Sequence, residues 1–275
     1  MKGLGVEIEL TGVKLVDVTT ALEFLFGTAA EGCYNDKIDV PYTYYRIADK
    51  EGNKWLVKRD RSIKPQCFAY TINANISEEH RFDIMELSDT DYSYMVEVVT
   101  PVLTAKTLGT LFSVVDILKS MGGIVNTTCG IHIHIDKPDS FEDLLSIYRR
   151  FIIDQENIIQ RWAVNNNRLG KYCKAYEVDK FDFESYDDFM NYLYENCTER
   201  NENGEIIKKS LRYHALNFYS LVTHGTVEWR LFNAVLDRTE LAKIIDWVIH
   251  FSYSDEDIRE YIQVLSPLLT IDNQE

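Results

Sequence analysis

Apolar and polar residues alternate over several short segments of the chain, and longer segments between them carry apolar residues at helical spacing. Alternation with a period of two predicts a strand with one buried face, whereas recurrence every three or four residues predicts an amphipathic helix. The predicted strands are 3–10, 40–48, 54–63, 67–74, 92–100, 124–136 and 225–233. The predicted helices are 17–31, 104–121, 140–162, 182–196, 237–252 and 254–268.

The connections between these segments indicate the fold class. The turn-like sequence at 49–53 predicts a β-hairpin of strands 40–48 and 54–63. The Asn- and Gly-containing stretch 198–209 predicts an exposed loop, and 211–222 has no clear period. No repeat or linker divides the chain, so we expect one α+β domain over residues 1–275, with a mostly antiparallel sheet and helices packed on one side of it.

Composition narrows the classes of partner and compartment. Lys and Arg number 29 against 44 Asp and Glu, and basic residues never occur in runs longer than two, which argues against nucleic-acid binding. No apolar stretch is long enough to span a membrane. The five cysteines form no CxxC pair, and glutamates interrupt the first apolar residues, so we expect a reducing, cytoplasmic location without a signal peptide. Oligomeric state is left open.

Two of the predicted strands each place a pair of metal-binding side chains on one face. Side chains two residues apart in a strand point to the same side, so Glu7 and Glu9 share a face, and so do His132 and His134. The intervening residues of both strands are apolar. An ordinary strand with its polar face in water is the alternative for each pair taken alone.

Three further segments add ionisable residues. Strand 225–233 puts Glu228 and Arg230 on one face, where they could be a simple ion pair. Glu97 is enclosed by apolar neighbours and therefore needs a cation, an arginine or a proton. Strand 54–63 presents three polar residues on one face, namely Lys58, Asp60 and Ser62.

The ionisable side chains on these polar faces most simply find partners if the faces line one shared cavity. A compact domain cannot turn all of them to solvent while the opposite faces are buried against helices. Carboxylate oxygens with an imidazole and no thiolate favour Mg²⁺ or Mn²⁺ over Zn²⁺.

The order of these motifs along the chain resembles the amidoligase family, which is related to glutamine synthetase and glutamate–cysteine ligase. The resemblance covers elements from Gly5 to Asn233. It rests on Gly-x-Glu-x-Glu, Lys-x-Asp-x-Ser, Glu-Val-Val-Thr-Pro, Cys-Gly-x-His-x-His and Gly-Thr-x-Glu-x-Arg, in this order. It implies a curved antiparallel sheet like the glutamine synthetase catalytic domain, which binds ATP and Mg²⁺ and joins a carboxylate to an amine through an acyl phosphate.

The resemblance also implies a role for each matched residue. The implied metal ligands are Glu7, Glu9, Glu97, His132 and Glu228. His134, Lys58 and Ser62 would bind the nucleotide, and Arg230 would neutralise charge on the transferred phosphoryl group. Glu228 and Asp60 would take part in catalysis, and Arg168, Tyr172 and Asn217 would contact a small-molecule or peptide substrate. Arg168 could instead pair with a surface acid.

Two other function classes remain open at this point. His-x-His strands also occur in metal-dependent hydrolases, although those usually add further His or Asp ligands, and the chain has six histidines. A non-catalytic binding module of the same fold is the third possibility. A P-loop ATPase is excluded because no Gly-rich phosphate loop precedes a helix.

Overall fold

The computed structural model describes residues 2–33, 44–71, 81–200, 203, 206–209 and 211–270 of the chain. The strands are β1 Leu4–Leu10, β2 Glu31–Cys33, β3 Tyr44–Ala48, β4 Lys54–Arg59, β5 Gln66–Thr71, β6 Arg81–Glu86, β7 Val96–Val99, β8 Gly130–Asp136, β9 Thr198–Arg200, β10 Ile206–Lys209, β11 Leu216–Asn217 and β12 Thr226–Asn233. The α-helices are α1 Leu15–Phe26, α2 Leu108–Ser120, α3 Phe141–Arg161, α4 Asn166–Leu169, α5 Tyr186–Asn196, α6 Ser220–Thr223, α7 Arg238–Ser252 and α8 Asp255–Leu269.

The principal sheet of the described residues has eight strands in the order β11-β12-β8-β1-β7-β4-β3-β2. Neighbouring strands in it pair antiparallel. Elsewhere in the described ranges, β5 pairs with β6 and β9 pairs with β10 in separate two-stranded ribbons. The predicted α+β class with a mostly antiparallel sheet is therefore confirmed.

Helices cover the apolar face of the large sheet. On β4, the ring of Trp55 lies 5.4 Å from the ring of Phe26 in α1. On β12, Trp229 lies 5.6 Å from Phe151 of α3 and 5.1 Å from Trp247 of α7. Because these tryptophans extend from the same side of the sheet, the helices shield that side and leave the opposite face to polar side chains.

The strand predicted at 54–63 is shorter in the structure and ends at Arg59. Asp60 Oδ1 accepts a hydrogen bond from the backbone N–H of Ser62 at 2.6 Å, which closes a turn. The prediction that Ser62 continues the strand face of Lys58 is therefore wrong.

Other differences lie at turns and short strands. The helix predicted at 17–31 ends at Phe26 because Gly27 adopts a left-handed conformation (φ 73°) and its N–H bonds to Glu23. The loop predicted at 198–209 contains β9 and β10, and the short strands β2 and β6 were not predicted. Residues 40–43, 72–74, 201, 202, 204 and 205 of the predicted elements lie outside the described residues.

Among the described helices, none is both long enough and apolar enough to cross a bilayer.

Candidate metal and nucleotide site

The antiparallel registers bring the predicted ionisable residues together on the face opposite the helices. Residues directly opposed in such a pair have their side chains on the same face. The opposed pairs are Glu7 with His132, Glu9 with Glu97, Glu97 with Lys58, and Glu228 with both His134 and Asn217. Four neighbouring strands, β12, β8, β1 and β7, thus build one cluster of acids and imidazoles, and Lys58 of β4 and Asn217 of β11 lie beside it.

His132 lies at the centre of this cluster and is only 2% exposed. Its Nδ1 lies 2.9 Å from Glu7 Oε2, and the tautomer that donates this hydrogen bond from Nδ1 has its lone pair on Nε2. Nε2 has no hydrogen-bond partner among the described residues, and Glu9 Oε1 lies 3.6 Å away. A buried nitrogen with a free lone pair beside carboxylates fits a cation ligand.

The carboxylates and imidazoles form three overlapping groups of the size that holds a metal ion. Within each group, one ligand atom per residue lies within 4.8 Å of the others. The groups are Glu7, Glu97 and His132; Glu7, His134 and Glu228; and Glu9, Asp60 and Glu97. The donor set therefore fits one or more hard divalent cations.

The buried carboxylates differ in their proton affinity. Burial raises the pKa of Glu97 well above its ordinary value, the charge of Glu7 adds to this, and Lys58 only partly opposes it. Burial also raises the pKa of Glu9, despite His132 and Arg168. For Glu7, contacts with His132 and His134 outweigh burial and hold the pKa well below its ordinary value. The positive charges of the protein near Glu97 and Glu9 therefore do not fully offset the effect of burial on these two carboxylates.

Basic side chains border the acidic cluster. Lys58 Nζ lies 3.0 Å from Glu97 Oε2. Arg230 forms an ion pair with Glu228, and together with both histidines it lowers the pKa of Glu228 against the effect of burial. These cations face the same space as the carboxylates, where anionic phosphate or carboxylate groups could contact them.

A β-bulge lies beside Arg230. The register between β12 and β8 shifts between Trp229 and Phe232, so Arg230 and Leu231 together oppose His132. The N–H of Arg230 bonds to the carbonyl of Ala215 at 2.8 Å. Arg230 faces the cluster because it lies two residues after Glu228, and the extra residue places Phe232, which alternation would put on the same face, in the core.

Arg168 lies behind the cluster and is 1% exposed. Its guanidinium donates to the carbonyl of Arg230 at 2.8 Å and lies 3.6 Å from Glu9 Oε2. A Cβ on Gly130 would come within 2.2 Å of it, so this strand position needs glycine. Arg168 thus supports Glu9 and the bulge, and it does not line the cavity described below.

A cavity of about 250 Å³ opens above the cluster. Of the predicted nucleotide, catalytic and substrate residues, those that line it are Lys58, Asp60, His134, Asn217, Glu228 and Arg230. Asn217 donates a hydrogen bond to Glu228 Oε2 at 2.6 Å. Ser62 and Tyr172 lie outside its lining and contact each other through the Tyr172 hydroxyl and the Ser62 carbonyl at 3.3 Å.

Four residues that sequence reasoning missed also line this cavity: Arg212, Tyr219, Thr223 and His224. They lie on the segment around β11 and α6, where the sequence shows neither a strand nor a helix period. In the sequence, only the ionisable side chains of Arg212 and His224 pointed to a functional role. Because the segment has no strand or helix periodicity, these two residues could not be assigned to the polar face of the sheet.

The family comparison covers nearly the whole chain. A family model described as "Putative amidoligase enzyme" matches residues 2–252. Comparisons with curated proteins and with solved structures gave no significant match. With about nine tenths of its length inside the family model, the chain belongs to this amidoligase family.

Proposed function

We propose that the protein is an ATP- and Mg²⁺-dependent carboxylate–amine ligase that forms an amide through an acyl phosphate. Membership in the amidoligase family indicates an amide-bond-forming ligase. The observation that carries the finer proposal is the buried acidic face around His132, whose Nε2 is unpartnered among the described residues, bordered by Lys58 and Arg230. Such a face suits a cation together with anionic phosphates.

The side chains divide between holding a cation and holding anions. Glu7, Glu9, Glu97, His132 and Glu228 would hold Mg²⁺ or Mn²⁺. The chemistry supplied by the bound ion is neutralisation of charge on the ATP phosphates. Arg230 and Lys58 would add fixed positive charge beside the transferred phosphoryl group, where charge must be stabilised.

The proposed reaction needs no protein nucleophile. A carboxylate oxygen of the acid attacks the terminal phosphorus of ATP, and the bond to ADP breaks. The amine nitrogen then attacks the carbonyl carbon; the C–N bond forms, the C–O bond to phosphate breaks, and its electron pair leaves with phosphate. A primary ammonium loses one proton before the attack, which frees the nitrogen lone pair, and a second proton after it. One hydrogen stays in the amide, phosphate takes up one of the two protons, and solvent takes up the other.

The test is release of ADP by purified protein with Mg²⁺, ATP and a matrix of carboxylate and amine pairs. We expect release only when both partners are present, and a loss of at least about 10³-fold in Glu228→Gln, since that carboxylate holds both Arg230 and the proposed cation. Glu240→Gln, an exposed acid on α7, is the matched control and should retain activity. Metal-dependent hydrolysis without nucleotide would contradict the proposal and support a hydrolase.

A further inference from the structure

A second cavity of about 230 Å³ adjoins the carboxylate cluster on the same face of the sheet. Glu7, His134 and His224 line both this cavity and the one above the cluster. The second cavity continues along β1 towards its amino-terminal end. A molecule with its reactive group at the cluster could therefore extend into it.

Gly5 lies beneath this space. It is an interior residue of a central strand, where glycine weakens the strand relative to alanine. Its backbone does not have a positive φ. A Cβ built on it would meet only His134 Cβ, at an ordinary contact distance of 3.5 Å. Neither the backbone nor a neighbouring side chain requires glycine here, so the open space itself is the feature that glycine preserves.

The lining is apolar on one side and acidic at its ends. Val99 is the last residue of β7, and Pro101 and Val102 follow it after Thr100; Val102 is 69% exposed. Carboxylates stand at Glu7 and Asp136, and none of the described lining residues is Lys or Arg. Such a surface disfavours a second carboxylate and favours an ammonium group with an aliphatic chain.

We infer that the cavity over Gly5 binds the amine substrate, as an organic amine with an aliphatic chain rather than as ammonia. The inference rests on the proposed ligase function. The amino group lies towards Glu7, and the chain passes over Gly5 beside Val102. The acid and the ATP phosphates occupy the other cavity, where Lys58, Arg212 and Arg230 supply positive charge.

The test uses the whole protein with Mg²⁺ and a non-hydrolysable ATP analogue, and n-butylamine as the probe, observed by saturation-transfer NMR. We expect n-butylamine to bind the wild type, and Gly5→Ala and Gly5→Val to weaken it progressively, by at least about tenfold for valine. Butanoate binding should not change. Gly109→Ala, on the exposed surface of α2 with no atom within 4 Å of the added Cβ, is the matched control.

Other outcomes overturn the inference. It fails if the wild type binds Mg²⁺ and the analogue but not n-butylamine, or if valine at position 5 leaves n-butylamine binding unchanged. It also fails if that variant weakens butanoate instead, because the cavity would then belong to the acid. Calorimetry with Mg²⁺ and the analogue separates these results from failure of the proposed function, in which the wild type would bind neither. Retained Mg²⁺ binding and thermal unfolding in the Gly5 variants show that they are folded.

Discussion

At the scale of single residues, Glu97 shows how a proposed cation site opposes the stability of the protein that carries it. The carboxylate is 3% exposed and is opposed by Glu9 across the strand pair, while Lys58 is its cationic contact. Its ionised form is disfavoured, so its pKa is raised. A bound cation would remove that cost, and so would replacement by a neutral amide.

Glu97→Gln is therefore expected to change stability and metal binding in opposite directions. A carboxyl whose pKa is higher in the folded protein destabilises the fold as pH rises from its unfolded pKa through the folded one. In EDTA, the wild type should become less stable relative to Glu97→Gln as pH rises above the ordinary value of 4.5. Affinity for Mg²⁺ should fall at least about tenfold in the variant. Thermal unfolding across pH and Mg²⁺ titration measure these effects.

Glu240→Gln is the control for that experiment, since its carboxylate is exposed and pairs with Lys243. It should change neither the pH dependence nor the response to Mg²⁺. If Glu97→Gln were less stable than the wild type at every pH in EDTA, Glu97 would be satisfied by Lys58 alone.

At the scale of elements, the close packing of β8 and α4 positions Glu9, one of the proposed metal ligands. Arg168 at the short helix α4 reaches under β8, where Gly130 leaves room for its guanidinium. The backbone N–H of Gly130 also donates to Glu9 Oε2 at 2.6 Å. The packing of β8 against α4 and the position of Glu9, a proposed ligand, therefore depend on the absence of a side chain at position 130.

Gly130→Ala should thus displace Arg168 and destabilise the protein by about 2–4 kcal/mol, because a buried charge loses its partners. Chemical denaturation measures the loss. The same substitution at Gly109 adds a Cβ with no neighbour within 4 Å in a helix and should be neutral or stabilising by up to about 1 kcal/mol. Equal effects at the two positions would contradict the role given to Arg168.

The sequence predicted which side of a strand each side chain occupies better than it predicted which residues are in contact in the fold. Alternation alone placed Glu7, Glu9, His132 and His134 on polar faces because the side-chain period of a strand is two. It could not foresee the bulge at Arg230, since an added residue leaves no mark in composition. Nor could it place Arg168, because its contacts are with Glu9 and Arg230, which are far from it in the sequence. Which strands pair is a long-range property. The expectation that their polar faces converge came instead from the need to satisfy those faces within one compact domain.

At the scale of the whole molecule, the acidic face joins four strands that are distant in the chain. A cation bound there would link β7, β1, β8 and β12 at once and would bind only the folded protein. Mg²⁺ at about 100 times its dissociation constant should therefore raise the free energy of unfolding by about 2.7 kcal/mol. Denaturation with and without Mg²⁺ measures the effect, which should vanish in Glu228→Gln and persist in Glu240→Gln. Equal stabilisation of both variants would mean that Mg²⁺ binds elsewhere.

The most direct test of an acyl-phosphate ligase follows a single oxygen atom. In the proposed reaction, the oxygen that attacks ATP remains with phosphate when the amine displaces it. With an active acid labelled with oxygen-18 in its carboxylate, we predict that each phosphate released with ADP carries one labelled oxygen, detected by the isotope shift in phosphorus NMR. Unlabelled phosphate formed together with the amide would contradict the account, because the carboxylate would then never have been phosphorylated.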